Sequence, residues 1–210
     1  MADAPDRLSL TDGRTKQKQR TRVALLDAAA DLARRGVSPS IGQIAEAANI
    51  SPATAYRYFP NTHSLWNDAA VRRLSADDLT ADLPDDVVER VEVVIRRTAR
   101  LQFTDEALWR ESLRAMQERW FAQQDVEVGE RVPVRGTTRR EALAIALQPL
   151  RPTLEAAAFV RLLQALMFLC GVEALVVARD ALDLEEEAAA DVMCWSARAI
   201  VTTAIEEAGR

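Results

Sequence analysis

The sequence predicts an all-α protein, and three observations carry that expectation. Alanine and leucine are abundant while glycine numbers only 7 and proline 8 in 210 residues. Runs of β-branched residues are scarce, and apolar residues recur at helical spacing along most of the chain. A chain of this length can bury one large core or two smaller ones. The expected architecture is an N-terminal three-helix domain holding a helix-turn-helix, followed by a C-terminal helical bundle, about nine helices in all.

Residues 1–13 are polar and are expected to form a flexible arm. The basic run Arg14 to Arg22 continues it to about residue 19 and leads into a helix that ends near Arg35. Val23, Leu26, Ala29, Ala30 and Ala33 give that helix its buried stripe, and Gly36 closes it.

Ser40 to Leu65 is the stretch that carries the most information. Ser40 followed by Gln43 forms a capping box. Ile41, Ile44, Ala45 and Ala48 make one apolar stripe. Asn49 sits where this helix must stop and suits a left-handed C′ position, with Ile50 packing back on the helix end. Ser51-Pro52 restarts the chain as an N-cap with proline at the first helical position. Two helices joined by so short a turn form a helix-turn-helix, whose second helix can enter a DNA major groove. Pro60 breaks the chain again, and Asn61 caps a fourth helix from Thr62 to about Asp77.

The remaining helices are expected at 85–103, 104–123, 138–150, 153–178 and 184–208, with a long loop at 125–136 that holds Gly129, Pro133 and Gly136. Val88, Val91, Val94, Ile95 and Ala99 form the inward stripe of the first of these.

Net charge is −5, yet the charge is unevenly placed. Between Arg14 and Tyr58 eight cations face three acids, a local net of +5. A phosphate backbone would be drawn to that end and repelled from the other. The N-terminal stretch lacks the apolar core of a signal peptide. The longest uncharged apolar run, Leu162 to Val172, holds Gln164 and reads as too short to span a membrane. A soluble cytoplasmic protein with no membrane segment is expected. The 2 cysteines do not make a disulfide framework. The single histidine, His63, is far in sequence from Cys170 and Cys194, so no metal and no cofactor is expected. No nucleophile–histidine–acid set or histidine-bearing carboxylate pair stands out, which argues against an enzyme. Acidic pairs such as Asp85-Asp86 read as solvated helix starts.

The stretch Arg20 to Ala29, together with Ile44-Ala-Glu-Ala-Ala-Asn-Ile-Ser-Pro-Ala-Thr-Ala-Tyr-Arg-Tyr-Phe-Pro-Asn61, closely resembles the N-terminal domain of tetracycline-repressor (TetR) family transcriptional regulators. The resemblance covers residues 20–66. It implies a sequence-specific regulator, usually a repressor, with an all-α ligand-binding and dimerisation domain over 67–210. Asn49 stands where the family usually has glycine, and Thr62 where it often has a cation.

In the second helix of the motif, Ala55 and Phe59 are four apart and face the core, which leaves Ala53, Thr54, Arg57 and Tyr58 outward. Arg57 is the only long cation there and is the choice for a guanine edge. The resemblance implies phosphate contacts at Tyr56 and Tyr58. Ser40, Ser51 and Pro52 stand at helix N-termini, where amides favour an anion, and Thr62 and His63 open the next helix in the same way. Lys16, Lys18, Arg20 and Arg22 are placed along the backbone or in a minor groove.

Phe159 to Val177 is apolar almost all round, so it needs cover on every side. A second protomer is the simplest cover, and the last helix completes a four-helix intersubunit bundle, an arrangement the resemblance also implies. Phe168, Gly171, Val172, Leu175, Val192, Trp195, Ala199 and Ile200 are the expected homodimer interface. Two-fold symmetry would then present two recognition helices to a pseudo-palindromic double-stranded DNA operator. Phe103, Trp109, Leu113, Met116, Trp120, Phe121, Phe159, Leu163 and Met167 are the expected lining of a cavity for a small, mostly apolar effector. The rival reading is a helical-bundle interaction or small-molecule module that has lost DNA binding.

Overall fold

The structure, a computed structural model, describes residues 7–131 and 136–209. Residues 1–6 of the expected arm and Pro133 of the expected loop lie outside the described residues. Contacts divide the chain into two compact units, Met1–Ala69 and Ala70–Arg210. Among the described residues there is no strand, in keeping with the all-α expectation.

In the first unit, helix α1 spans Arg7–Arg34, α2 Ile41–Ala47 and α3 Pro52–Tyr58, and α4, Thr62–Arg73, crosses the unit boundary. Helix α1 starts well before Arg20, so the segment expected as an arm is helical from Arg7 onward. The physical reason is that Lys, Gln and Arg lose little rotamer freedom in a helix, and a polar run of them need not break it. Gly36, at φ 75°, ends α1, with the Val37 amide bonding the Leu32 carbonyl at 3.1 Å. Leu25, Leu26, Ala29, Ala30 and Ala33 are buried on α1. They meet Ile41, Ile44 and Ala45 of α2, Ala55 and Phe59 of α3, and Leu65 and Trp66 of α4 in one core. Leu25 is fully buried although the periodic reading passed over it, and Val23 is only half-buried.

In the second unit, α5 spans Ala76–Thr80, α6 Val87–Thr104 and α7 Glu106–Ala122. After the loop come α8 at Thr138–Ala146, α9 at Ala156–Met167, α10 at Val172–Val176 with a π-turn at Val177–Ala181, and α11 at Glu186–Ala208. Among the described residues nine helices are seven residues or longer, as expected, and two five-residue segments, α5 and α10, are added to them. The short α5 follows α4, and the single helix expected at 153–178 is broken between α9 and α10. Helix α6 packs chiefly on α11 and also meets α8 and α5. Val91, Val94, Ile95 and Ala99 are its buried stripe as read, joined by Thr98, Gln102 and Phe103.

Arginines close several helix ends of this unit in place of glycine. The last carbonyls of a helix lack partners, and a guanidinium can supply them. Arg90 donates to the carbonyls of Ala146 at 2.9 Å and Ile145 at 3.1 Å, at the end of α8. Arg97 does the same for Leu79 at 3.1 Å and Ala81 at 2.6 Å, at the end of α5. Arg139 donates to the Cys170 carbonyl at the α9–α10 break. By length and composition Ala156–Ala181 is apolar enough to cross a membrane, which the sequence reading had not seen. Here it is interrupted at Gly171 and buries Phe159, Leu162, Leu166 and Leu175 inside the unit.

Glycine at the break leaves room for the end of the Arg139 side chain. A Cβ on Gly171 would collide with the Arg139 guanidinium and lie 3.0 Å from Glu173 Oε2. Gly171→Ala is expected to push Arg139 off the Cys170 carbonyl, at a cost of about 1.5–3 kcal/mol for a hydrogen bond from a charged group. Arg139→Ala should cost a similar amount. The double variant should cost no more than either single, because both remove one contact. Urea denaturation of the three variants checks this, and additive losses would separate the two residues.

Candidate nucleic-acid interface

The geometry of the helix-turn-helix is set by its caps. Ser40 Oγ accepts the Gln43 amide at 3.3 Å, and Gln43 Oε1 accepts the Ser40 amide at 2.9 Å, which completes the capping box. Asn49 adopts φ 54°, the left-handed conformation expected of it. Its amide reaches the Glu46 carbonyl at 3.0 Å, and the Ile50 amide reaches Ala45 at 2.9 Å. That pair of bonds is the Schellman closure of a helix end. Ser51 Oγ then accepts the Thr54 amide at 3.3 Å and donates to Thr54 Oγ1 at 2.9 Å, so α3 starts from a made cap. Asn61 Oδ1 accepts the Ser64 amide at 2.8 Å at the start of α4.

These caps fix which way α3 points its side chains. Ala55 and Phe59 are buried, and Ala53, Tyr56 and Arg57 are exposed, Tyr56 by half its surface. Thr54 and Tyr58 are half-buried. Arg57 lies with its guanidinium carbon 5.9 Å from the Tyr58 ring, a contact that orients it without burying it. Ser40, Ser51 and Pro52 are exposed, with both hydroxyls engaged in the caps, while Thr62 and His63 are half-buried at the start of α4. Lys16, Lys18 and Arg20 are exposed on α1.

Arg22 differs from its neighbours. It forms an ion pair with Asp68 of α4, and its guanidinium carbon stands 5.7 Å from the Phe59 ring. It therefore clasps α1, α3 and α4 together, a role the sequence reading missed by treating it as one of four backbone cations. The missing signal was the partner. Asp68 lies far along the chain, and only folding brings it near.

The residues expected to line one effector cavity do not share one environment. Phe103, Trp109 and Phe159 are buried, and Leu113, Met116, Leu163 and Met167 are half-buried. Trp120 and Phe121, at the end of α7, are 53% and 70% exposed and stack edge-on with each other at 5.0 Å. Near a helix end no further turn covers them, so periodicity placed them inside when geometry does not. Trp109 is anchored by its indole N–H, which donates to the Leu101 carbonyl at 3.1 Å. Phe103 lies under the Arg179 guanidinium at 4.9 Å and Phe159 under Arg151 at 4.2 Å. A cleft of about 750 Å³ opens elsewhere in the unit, between α9 and α11, and none of the nine expected effector residues lines it.

The expected dimer residues also separate. Phe168 and Trp195 are 85% and 73% exposed, Val192 and Ala199 are exposed, and Ile200 is half-buried. Gly171, Val172 and Leu175 are instead buried within the protomer and form no surface. The helix break turns them inward, which a reading of one continuous helix could not anticipate.

Residues 25–69 match the model of a family described as bacterial regulatory proteins, tetR family. Two solved structures share the fold. A TetR transcriptional regulator from Rhodococcus sp. RHA1 is 18% identical, with a TM-score of 0.60 over 88% of this chain and 98% of that one. A TetR family transcription regulator from Marinobacter aquaeolei VT8 is 22% identical, with a TM-score of 0.55 over 87% of this chain and 97% of that one. No curated protein matches the sequence. Residues 25–69 thus match the tetR-family model, and the chain shares its fold with solved tetR-family transcriptional regulators.

The two thiols remain. Cys170 is buried beside the α9–α10 break, and burial pushes its pKa up to about 11. Cys194 is buried on α11 near the Glu92 carbonyl, and burial likewise raises it to about 11. The thiolate is the reactive form, so both groups are inert at neutral pH. Native protein mixed with a disulfide reagent is expected to release almost no thiol signal, and denatured protein to release both equivalents. Fast labelling of the native chain would contradict the burial argument.

Proposed function

We propose that the chain is a ligand-responsive transcriptional repressor that binds a pseudo-palindromic DNA operator as a homodimer in the cytoplasm. The observation that supports it most is the fully capped helix-turn-helix, which leaves Ala53, Tyr56 and Arg57 outward on the basic segment of the chain. Arg57 is the base-reading residue. Tyr56, Tyr58, Thr62 and His63, with the helix starts at Ser40, Ser51 and Pro52, lie against the phosphates. Lys16, Lys18 and Arg20 add sequence-independent attraction along the backbone. Arg22 serves the interface by holding α1 on α3 and α4 rather than by direct contact.

The effector reading narrows to the α6–α7 region. Trp109, Ser112 and Met116 follow at helical spacing on α7, with Phe103 on α6. The Ser112 hydroxyl is buried and has no hydrogen-bond partner among the described residues. Leaving such a group unpaired costs about 1–3 kcal/mol, which a ligand carrying a polar atom would recover. The favoured effector is therefore mostly apolar with one hydrogen-bonding group, and its binding shifts the dimer away from the operator-competent state.

Fluorescence anisotropy against the DNA upstream of the chain's own gene tests the regulator reading. Tight binding that weakens steeply with salt is expected, and no binding at low salt would favour the rival interaction module. Arg57→Ala is expected to cost about 1–3 kcal/mol and to relax one operator position. Equal loss on every sequence would make Arg57 a phosphate contact instead. Ser112→Ala is expected to stabilise the free protein by about 1 kcal/mol in thermal melts, since it removes an unpaired hydroxyl. A lowered midpoint would show the hydroxyl already satisfied and remove this support for the effector.

A further inference from the structure

The α9–α11 surface carries both a knob and a hole. Trp195 stands 73% exposed on α11. About one turn further along the same helix, at Ala199, begins the cleft of about 750 Å³. Ala158, Leu162 and Ala165 of α9 line it with Ile200, Thr203 and Ala204 of α11. Its walls are mostly small side chains, and the Arg161–Glu207 ion pair at 2.8 Å joins its two sides. An indole buries roughly 150–250 Å² and suits a groove of this kind.

Trp195, Ala199 and Thr203 lie at successive intervals of four on one exposed stripe of α11. Ala199 lines the near end of the cleft and lies midway between Trp195 and Thr203. An isologous contact needs each surface to complement itself across a two-fold axis. If α11 crosses its copy antiparallel at Ala199, Trp195 of each faces Thr203 of the other, at the edge of the cleft. The small side chain at the crossing lets the two helices approach closely.

We propose that Trp195 of each copy inserts into the α9–α11 cleft of a second copy, with the two-fold axis passing at Ala199. The inference rests on the homodimer reading above and adds its register. The occupant is a second copy because the knob that fits the hole is borne by the same helix face. Phe168, exposed on the same pair of helices, extends the apolar surface that the contact covers. A cleft filled in this way is a structural element of the dimer and not an effector site.

Cysteine scanning of the full chain tests the register. Helices packed about 8–10 Å apart, with Cα atoms at a radius of about 2.3 Å, bring facing Cα atoms to roughly 3.5–5.5 Å. That is within disulfide reach. Ala199→Cys is therefore expected to form a covalent dimer on mild oxidation. Val192→Cys, about 10 Å along the helix from the axis, is expected not to. Trp195→Ala should weaken dimerisation by roughly tenfold or more, read by light scattering across a dilution series. Its helix content by circular dichroism should be unchanged, because the side chain is mostly exposed in the protomer. A wild-type chain that stays monomeric at micromolar concentration would overturn the dimer and the register together. A wild-type dimer in which Ala199→Cys fails to cross-link and Trp195→Ala dimerises normally would overturn the register alone.

Discussion

The turn at Asn49 is the constraint on which the N-terminal unit depends. Its left-handed backbone lets the Ile50 amide reach back to Ala45 while the chain reverses into Ser51. Two bonds and one unusual φ therefore decide the angle between α2 and α3. That angle decides that Ala55 and Phe59 go inward and that Arg57 goes out. Glycine would adopt this conformation with less strain, but it would also lose more freedom on folding. Asparagine tolerates the left-handed region and keeps the unfolded chain less disordered, so the substitution leaves the motif intact.

Much of this unit was legible because its determinants are local. A cap involves residues three apart, a helix end residues five apart, and an apolar stripe one or two turns. Each can be read without knowing what packs against what. Ser40–Gln43, Asn49–Ile50 and Ser51-Pro52 all took the conformations their residue types dictate. The ion pair of Arg22 was not legible, because its partner Asp68 lies 46 residues away.

The second unit was less legible for the same physical reason turned round. Its helix ends are closed by arginines that come from elsewhere in the chain: Arg90 on α8, Arg97 on α5 and Arg139 on the α9–α10 break. The sequence shows 27 basic residues but not which carbonyl each one finds. A long apolar run reads as one helix unless the distant guanidinium that stabilises its interruption is known. Once the break is present, Gly171, Val172 and Leu175 turn inward while Phe168 is left outside. The residues expected at the interface thus divide into a buried middle and exposed ends. The same limit explains Trp120 and Phe121, whose exposure follows from where α7 stops and not from their spacing along it.

On the proposed reading, specificity has to come from assembly. One α3 offers a single long cation, Arg57, and a good bidentate pair discriminates against a wrong base by about 1–3 kcal/mol. That margin is small against the many competing sites of a genome. Two copies held at a fixed spacing multiply their discrimination, but only if the spacing is rigid, because a loose pair would accept half-sites at several separations. Seven-residue helices such as α3 cannot supply that rigidity. In the proposed dimer it comes from α9 and α11, where an exposed indole and phenyl ring are costly to leave in water. The apolar surface that is a liability in a monomer is, in the dimer, what would keep two weak readers in register.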